Sequence, residues 1–218
     1  MRDIFPSVVA VAVAGPDDWL GELLPIEQAC LGERAVETRR RDFAAGRSCA
    51  RRAMTDLGLP AAAVPAAADR SPVWPAGVVG TITHTTGYCA AATALTTDVR
   101  SVGMDAEQHQ EINPGVRRIV LLPEEEALCA GLPGGTSWPV VMFSAKETVY
   151  KVWYPVVGTW LGFRDAQLDI DPDAGTFTAR IAPARLDQAT VEDPPATIAG
   201  RFVVADGLVR TSAVLPLR

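Results

Sequence analysis

The sequence predicts an α+β fold made of two similar halves packed together, and three observations lead there. A faint internal repeat comes first. The apolar run Val8 to Ala14 precedes Leu23-Leu24-Pro25 and then Phe43, Arg47 and Arg51. The run Val102-Gly103-Met104-Asp105 precedes Leu121-Leu122-Pro123 and then Phe143, Glu147 and Lys151. Leu-Leu-Pro leads Phe by twenty residues in one copy and twenty-two in the other, and the next two offsets are four in both. Those offsets of four are the second observation, because they mark one face of a helix. The third is a pair of hairpin signals, Thr86-Gly87 and Asp206-Gly207, each between strand-like runs. Two copies are too few for a solenoid. Chance similarity is the competing reading of the repeat.

Each element follows from its own residues. Val8 to Ala14 reads as a buried strand, since Asp3 precedes it and Pro16-Asp17-Asp18 ends it. Pro25 and Pro123 each suit the first turn of a helix, where no backbone donor is lost. Pro60 to Ala68 and Ser71 to Gly77 read as loop. Val79 to Thr85 and Tyr88 to Thr96 are the arms of the first hairpin. Further strands are expected at Ala166 to Ile170, Thr176 to Ile181 and Gly200 to Leu215, the last folding back at Asp206-Gly207. The expected division is residues 1–100 and 101–218.

A chain of 218 residues can bury a sizeable core. Apolar residues make up 48% and charged residues 21%, as in an ordinary globular protein. The formal net charge of −6 argues against a general nucleic-acid binder, which needs broad basic surfaces. No apolar run reaches membrane-span length, and the N-terminus shows no signal peptide. The four cysteines lack C-x-x-C spacing, which argues against zinc and gives no reason to expect disulfides. A reduced cytoplasmic protein is expected. Charge is nevertheless uneven: seven arginines fall within residues 34–52, enough for a local polyanion site. The only two lysines, against eighteen arginines, are Lys146 and Lys151.

Several residues can carry chemistry. Asp105 and Glu107 stand two apart, so on a strand both carboxylates face one side, and converging carboxylates suit Mg²⁺. A strand running out into solvent would also carry such acids. Glu147 and Lys151 share a helix face, yet Ser144-Ala145-Lys146-Glu147 also has the form of a helix capping box, and the pair is a favoured i,i+4 couple. Arg47 and Arg51 make a two-pronged positive surface whose forks match phosphate oxygens. Its bland counterpart is a solvated face paired with acids such as Glu33 and Glu37. His84 ends a strand among hydroxyls and glycines, either as a structural residue or where a phosphate can approach. His109 is assigned nothing.

In this order the segments resemble the long, Sfp/EntD-like 4′-phosphopantetheinyl transferases. Four carry the resemblance: Arg41-Asp42-Phe43-Ala44-Ala45-Gly46-Arg47 with Arg51; Trp74-Pro75-Ala76-Gly77 into Gly80-Thr81-Ile82-Thr83-His84; Gly103-Met104-Asp105-Ala106-Glu107; and Phe143 through Lys151. Trp153-Tyr154-Pro155 through Trp160-Leu161-Gly162-Phe163 is similar to the actinobacterial subgroup that serves siderophore, polyketide and fatty-acid synthases. The likeness covers about residues 35–165. It departs from the common pattern at Met104, at Thr81 and Thr83, where serines are usual, and at Ala106, which leaves two carboxylates on that strand.

The resemblance implies a Mg²⁺-dependent enzyme, with Mn²⁺ as a substitute. It would move phosphopantetheine from coenzyme A to a serine of apo acyl or peptidyl carrier proteins and release 3′,5′-ADP. Asp105, Glu107 and Glu147 would hold the metal. Glu147 is also the implied general base, and the division between these roles stays open. Lys151 would stabilise or protonate the leaving phosphate. Arg47, Arg51, Arg70, Thr83, His84, Lys146, Lys151 and Trp160 would contact coenzyme A, with Trp153 and Tyr154 also lining the pantetheine channel. The two halves would be related by a pseudo-twofold axis with the site in the cleft between them, so one chain could act as a monomer without nucleic acid or membrane. A Mg²⁺-dependent phosphohydrolase or nucleotidyltransferase and a non-catalytic coenzyme A or carrier-protein binding module are the alternatives.

Overall fold

The computed structural model describes residues 2–32 and 34–218. In chain order the elements of the first part are β1 (Ala10–Val13), α1 (Pro25–Gln28), α2 (Glu37–Asp56), β2 (Val78–Thr85), β3 (Tyr88–Leu95) and β4 (Val99–Gln108). They continue with α3 (Pro114–Val120), α4 (Pro123–Gly131), α5 (Trp138–Val157), β5 (Ala166–Asp171), β6 (Thr176–Ile181), α6 (Pro183–Asp187), β7 (Thr197–Ala205) and β8 (Leu208–Pro216). The fold is α+β with two antiparallel sheets, ordered β1-β3-β2 and β4-β8-β7-β6-β5. Each sheet carries one twenty-residue helix: α2 packs on β1 and β3, and α5 on β4 and β8.

Alternation along β3 explains how the layers meet. Ala91 faces α2 in a cluster with Cys49, Ala50, Ala53 and Met54. Ala90, Ala92 and Ala94 point the other way, against Val102, Met104 and Ala106 of β4. Small side chains on both faces of one strand let a helix and the second sheet approach together. A third core gathers around α5, with Val149, Val152 and Trp153 against Leu168 and Phe177. The α5–β4 contact is close at Gly103, where a β-carbon would stand 2.4 Å from the Thr148 carbonyl oxygen.

Both hairpins turn where the sequence places them. Thr85 pairs with Tyr88 around Thr86-Gly87, and Ala205 pairs with Leu208 around Asp206-Gly207. Asp206 and Gly207 both have positive φ, 55° and 72°, as a tight two-residue turn requires. Two expectations change. The strand bearing Asp105 and Glu107 begins at Val99 and continues to Gln108, with Asp105 buried, so it does not run out into solvent at these acids. Ser144 lies well inside α5, which starts at Trp138 with Pro139 in its first turn, so Ser144 and Glu147 form no capping box. The Ser144 hydroxyl instead bonds Thr211 of β8 in the core. All four cysteines are free thiols. Among the described residues no helix is long and apolar enough to cross a membrane.

The repeat has a physical counterpart that extends two residues past Leu-Leu-Pro. Glu27 and Glu125 each reach back to cap their own short helix, accepting from the amides of Leu24 (3.0 Å) and Leu122 (2.8 Å). Each also accepts an amide from a distant segment, Val64 for Glu27 and Leu168 for Glu125. Each is buried against one cation from the long helix, Arg51 in the first case and Lys146 in the second. A buried carboxylate is tolerable only when paired and hydrogen-bonded, and both are.

Candidate active site

The site is assembled where α5 crosses β4. Asp105 Oδ1 accepts from Lys151 Nζ at 2.8 Å and from the Thr83 hydroxyl at 3.2 Å. Lys151 also donates to the Met104 carbonyl at 3.0 Å, and the Thr83 hydroxyl receives the Ala106 amide at 3.1 Å. Strand, helix and the end of β2 are thus fastened around one carboxylate. Its other oxygen, Oδ2, is buried without a hydrogen-bond partner. Glu107 lies two residues along the strand, half-buried, and Glu147 one helical turn before Lys151, also half-buried.

The electrostatics of this group are unbalanced. Burial, and then the charge of Asp105, push the Glu107 carboxyl up to about 7, against the pull of Lys151. Burial also raises Glu147, with Lys151 opposing and Asp105 reinforcing. One ammonium does not neutralise three carboxylates, and the orphaned Asp105 oxygen lacks a partner of positive charge. Oxygen donors with this surplus of negative charge fit a hard divalent cation. Among the described residues no three acidic, histidine or cysteine side chains are gathered tightly enough to enclose an ion alone.

The two lysines, five residues apart, serve different ends. Lys146 is buried and donates to Glu125 Oε2 (2.6 Å), the Phe163 carbonyl (2.7 Å) and the Val120 carbonyl (2.9 Å). An ammonium has three donors, and here all three are taken within the protein, so Lys146, expected at coenzyme A, is held in an internal ion pair at the edge of the cleft beside Trp160. Burial lowers its pKa, with Glu125 pulling the other way. Lys151 uses two of its three donors on the protein and keeps one for a ligand.

The arginines divide similarly. Arg51 is the counter-ion of Glu27, bonding both carboxylate oxygens and the Glu22 carbonyl, so its charge is met within the protein. Arg47 is 7% exposed, donates Nε to the Val64 carbonyl and lies 3.6 Å over the Phe43 ring. Burial draws its guanidinium down to about 10. No carboxylate of the described residues pairs with Arg47. Glu33, named as a partner for this arginine face, lies outside the described residues. The Thr83 hydroxyl, expected at coenzyme A, is engaged here with Asp105 and the Ala106 amide. His84 sits 3.8 Å from Asp42 in a cleft with Arg41 and Trp19, about 540 Å³ in volume. Trp153 is fully buried, its indole bonded to the Thr159 carbonyl, so it belongs to the core and not to a channel.

Two clefts meet at Glu147 and Tyr150. One, of about 460 Å³, is lined by Arg70, Trp74, Thr81, Lys151 and Tyr154 together with those two residues. The other, of about 510 Å³, runs between Tyr150, Trp160 and Phe163 and has mostly apolar walls. Tyr150 stacks on Tyr154 at 5.4 Å and meets Trp160 at 5.0 Å, making an aromatic partition between the clefts. The sequence reading missed Tyr150, Asp69, Glu27 and Glu125. Glu27 and Glu125 were within reach, because Leu-Leu-Pro-x-Glu occurs in both halves.

Two segments of the chain match known families. Residues 27–94 match a family described as the 4′-phosphopantetheinyl transferase N-terminal domain, and residues 101–201 match the 4′-phosphopantetheinyl transferase superfamily. The chain is 40% identical over 192 residues to the 4′-phosphopantetheinyl transferase PptT of Mycobacterium tuberculosis, covering 87% of this chain and 85% of that one. It is 41% identical over 207 residues to the transferase Svp of Streptomyces mobaraensis, covering 90% and 80%. Enterobactin synthase component D of Salmonella typhimurium is 33% identical over 141 residues, covering 62% and 56%.

Proposed function

The chain belongs to the 4′-phosphopantetheinyl transferase family, and from that premise we propose that the cleft at Asp105, Glu147 and Lys151 is where phosphopantetheine passes from coenzyme A to a carrier-protein serine. The observation that carries the placement is Lys151, held by Asp105 and the Met104 carbonyl with one donor left facing the cleft. Phosphoryl transfer depends mainly on positioning and charge stabilisation, which is what this arrangement supplies.

Two clefts joined at Glu147 suit a substrate with two dissimilar ends. The pantetheine arm fits the apolar cleft beside Trp160, and the nucleotide end lies toward Arg70, Arg47 and His84. The β-phosphorus then comes to the junction. Glu147, raised by burial, takes the proton as the serine oxygen attacks that phosphorus. The bond from phosphorus to the bridging oxygen of the α-phosphate breaks, and Lys151 stabilises the charge that gathers on the departing 3′,5′-ADP. When bound by Asp105 and Glu107, Mg²⁺ supplies neutralisation of pyrophosphate charge. Glu147 is assigned to base work more than to metal holding, because it faces both clefts. The same reading takes residues 1–100 and 101–218 as the two halves, a single chain as the working unit, and the cytoplasm as its location.

The test is incubation with coenzyme A, Mg²⁺ and an apo carrier protein, read by mass spectrometry. Addition of one phosphopantetheine per carrier supports the proposal. Coenzyme A hydrolysis without modification, or binding without turnover, would sink it.

A further inference from the structure

Arg70 stands out by its backbone. It has φ of 71°, a left-handed conformation that a side chain with a β-carbon adopts only when its surroundings impose it. Those surroundings are visible. Residues 66–72 close into a tight loop through an Ala66–Pro72 bridge, with the Ala67 amide on the Ser71 carbonyl and the Arg70 amide on the Ala67 carbonyl. Asp69, at the exposed surface of the loop, braces it by accepting from the Ser71 amide (2.9 Å) and the Ser71 hydroxyl (2.7 Å) through Oδ1. Its second oxygen accepts from the Tyr154 hydroxyl at 2.5 Å. Tyr154 belongs to the last turn of α5, the helix that carries Glu147 and Lys151. A loop that precedes β2 is therefore tied across the cleft to the helix bearing the reacting groups. These bonds hold the Asp69 carboxyl at about 2, so the acceptor stays ionised.

We infer that Tyr154 and Asp69 are positioning residues that present the Arg70 guanidinium to coenzyme A. Arg70 lines both the cleft with Lys151 and the neighbouring one with Arg39 and Phe43, so its placement decides what passes between them. Among the described residues no carboxylate pairs with it, which leaves the fork available to an anion. The inference rests on the reading of Arg70 as a coenzyme A contact, and its test separates the two.

Coenzyme A affinity by calorimetry and steady-state KM and kcat are measured for Tyr154→Phe, Asp69→Ala, Arg70→Ala and Arg70→Ala with Tyr154→Phe, with melting temperature as the folding control. Loss of one hydrogen bond that orients the arginine is expected to weaken coenzyme A about threefold to tenfold in Tyr154→Phe. The effect falls on KM, with kcat changed by less than about twofold. In the Arg70→Ala background Tyr154→Phe adds nothing. If Arg70→Ala itself leaves affinity unchanged, the reading of Arg70 fails and the strut fails with it. If Arg70→Ala weakens binding while Tyr154→Phe and Asp69→Ala do not, the strut alone is overturned. An equal loss from Tyr154→Phe with and without Arg70 also overturns it, because Tyr154 would then act on the ligand directly.

Discussion

Replacing Lys146 with methionine keeps the length of the side chain and removes its charge. In the parent protein the lysine side chain is 1% exposed and its ammonium holds Glu125, equally buried, along with the carbonyls of Phe163 and Val120. After Lys146→Met, Glu125 keeps only the amides of Leu122 and Leu168, and two carbonyls lose a donor. Breaking a buried ion pair from one side costs about 3–5 kcal/mol, because the surviving charge is stranded. At about 2–4 °C per kcal/mol for a chain of this size, the melting temperature should fall by roughly 6–20 °C. That is a large share of a total stability of about 5–15 kcal/mol. Adding Glu125→Gln should recover part of the loss, since the stranded charge is removed. The assay is thermal and urea denaturation followed by circular dichroism, with coenzyme A affinity measured below the transition. A variant that melts within a couple of degrees of the parent but binds coenzyme A markedly less well would refute the reasoning. Lys146 would then be the phosphate contact that its place in the sequence suggests.

Other perturbations test the cleft itself. Glu147→Gln should abolish transfer to a carrier protein while calorimetry still shows coenzyme A binding; unchanged turnover would remove Glu147 from the reaction. Arg47→Ala should raise the KM for coenzyme A more than it lowers kcat, because the contact is remote from the reacting phosphorus, and an equal fall in kcat would contradict that placement. The pH dependence of binding should carry the mark of His84. Burial holds its imidazole below the usual histidine range, with Asp42 opposing and Arg39 and Lys151 reinforcing, so it is neutral in the free protein at pH 7. A phosphate beside it raises that pKa, so binding takes up a proton. Affinity should strengthen as pH falls from about 8 toward 6 and level off below the free-protein pKa. Heats measured in buffers of different ionisation enthalpy report the uptake, and the same uptake in His84→Gln would exclude the imidazole as its source.

The parts of the fold that were legible in the sequence depend on short-range rules. Asp206-Gly207 announces its hairpin because only such residues accept positive φ at both turn positions. Pro25 and Pro123 mark helix starts because proline gives up a donor that has no partner there. The pairing of Asp105 with Lys151 was legible only as two separate spacings, two along a strand and four along a helix. What was not legible is which side of the long helices faces which neighbour. Lys146 and Glu147 are adjacent in sequence but about 100° apart around α5, enough to send one into the core and leave the other at the cleft. The internal repeat misled for the same reason. Offsets match Arg51 to Lys151, whereas in space the residue that does for Glu125 what Arg51 does for Glu27 is Lys146, five positions earlier. Partnership with a distant carboxylate leaves no local trace.

Gly103 fixes the gauge of the site. At residue 103 the strand offers no side chain, so its backbone lies against the Thr148 carbonyl and the Val152 side chain of α5, and any β-carbon there would force helix and strand apart. The span between the strand acids and the helix residues Glu147 and Lys151 is therefore a hard dimension of the scaffold. On the proposed placement of the reaction, variation in the apolar outer wall near Trp160 leaves that span unchanged. An engineer seeking acceptance of a differently shaped coenzyme A analogue should work on that wall and treat residue 103 as closed to substitution.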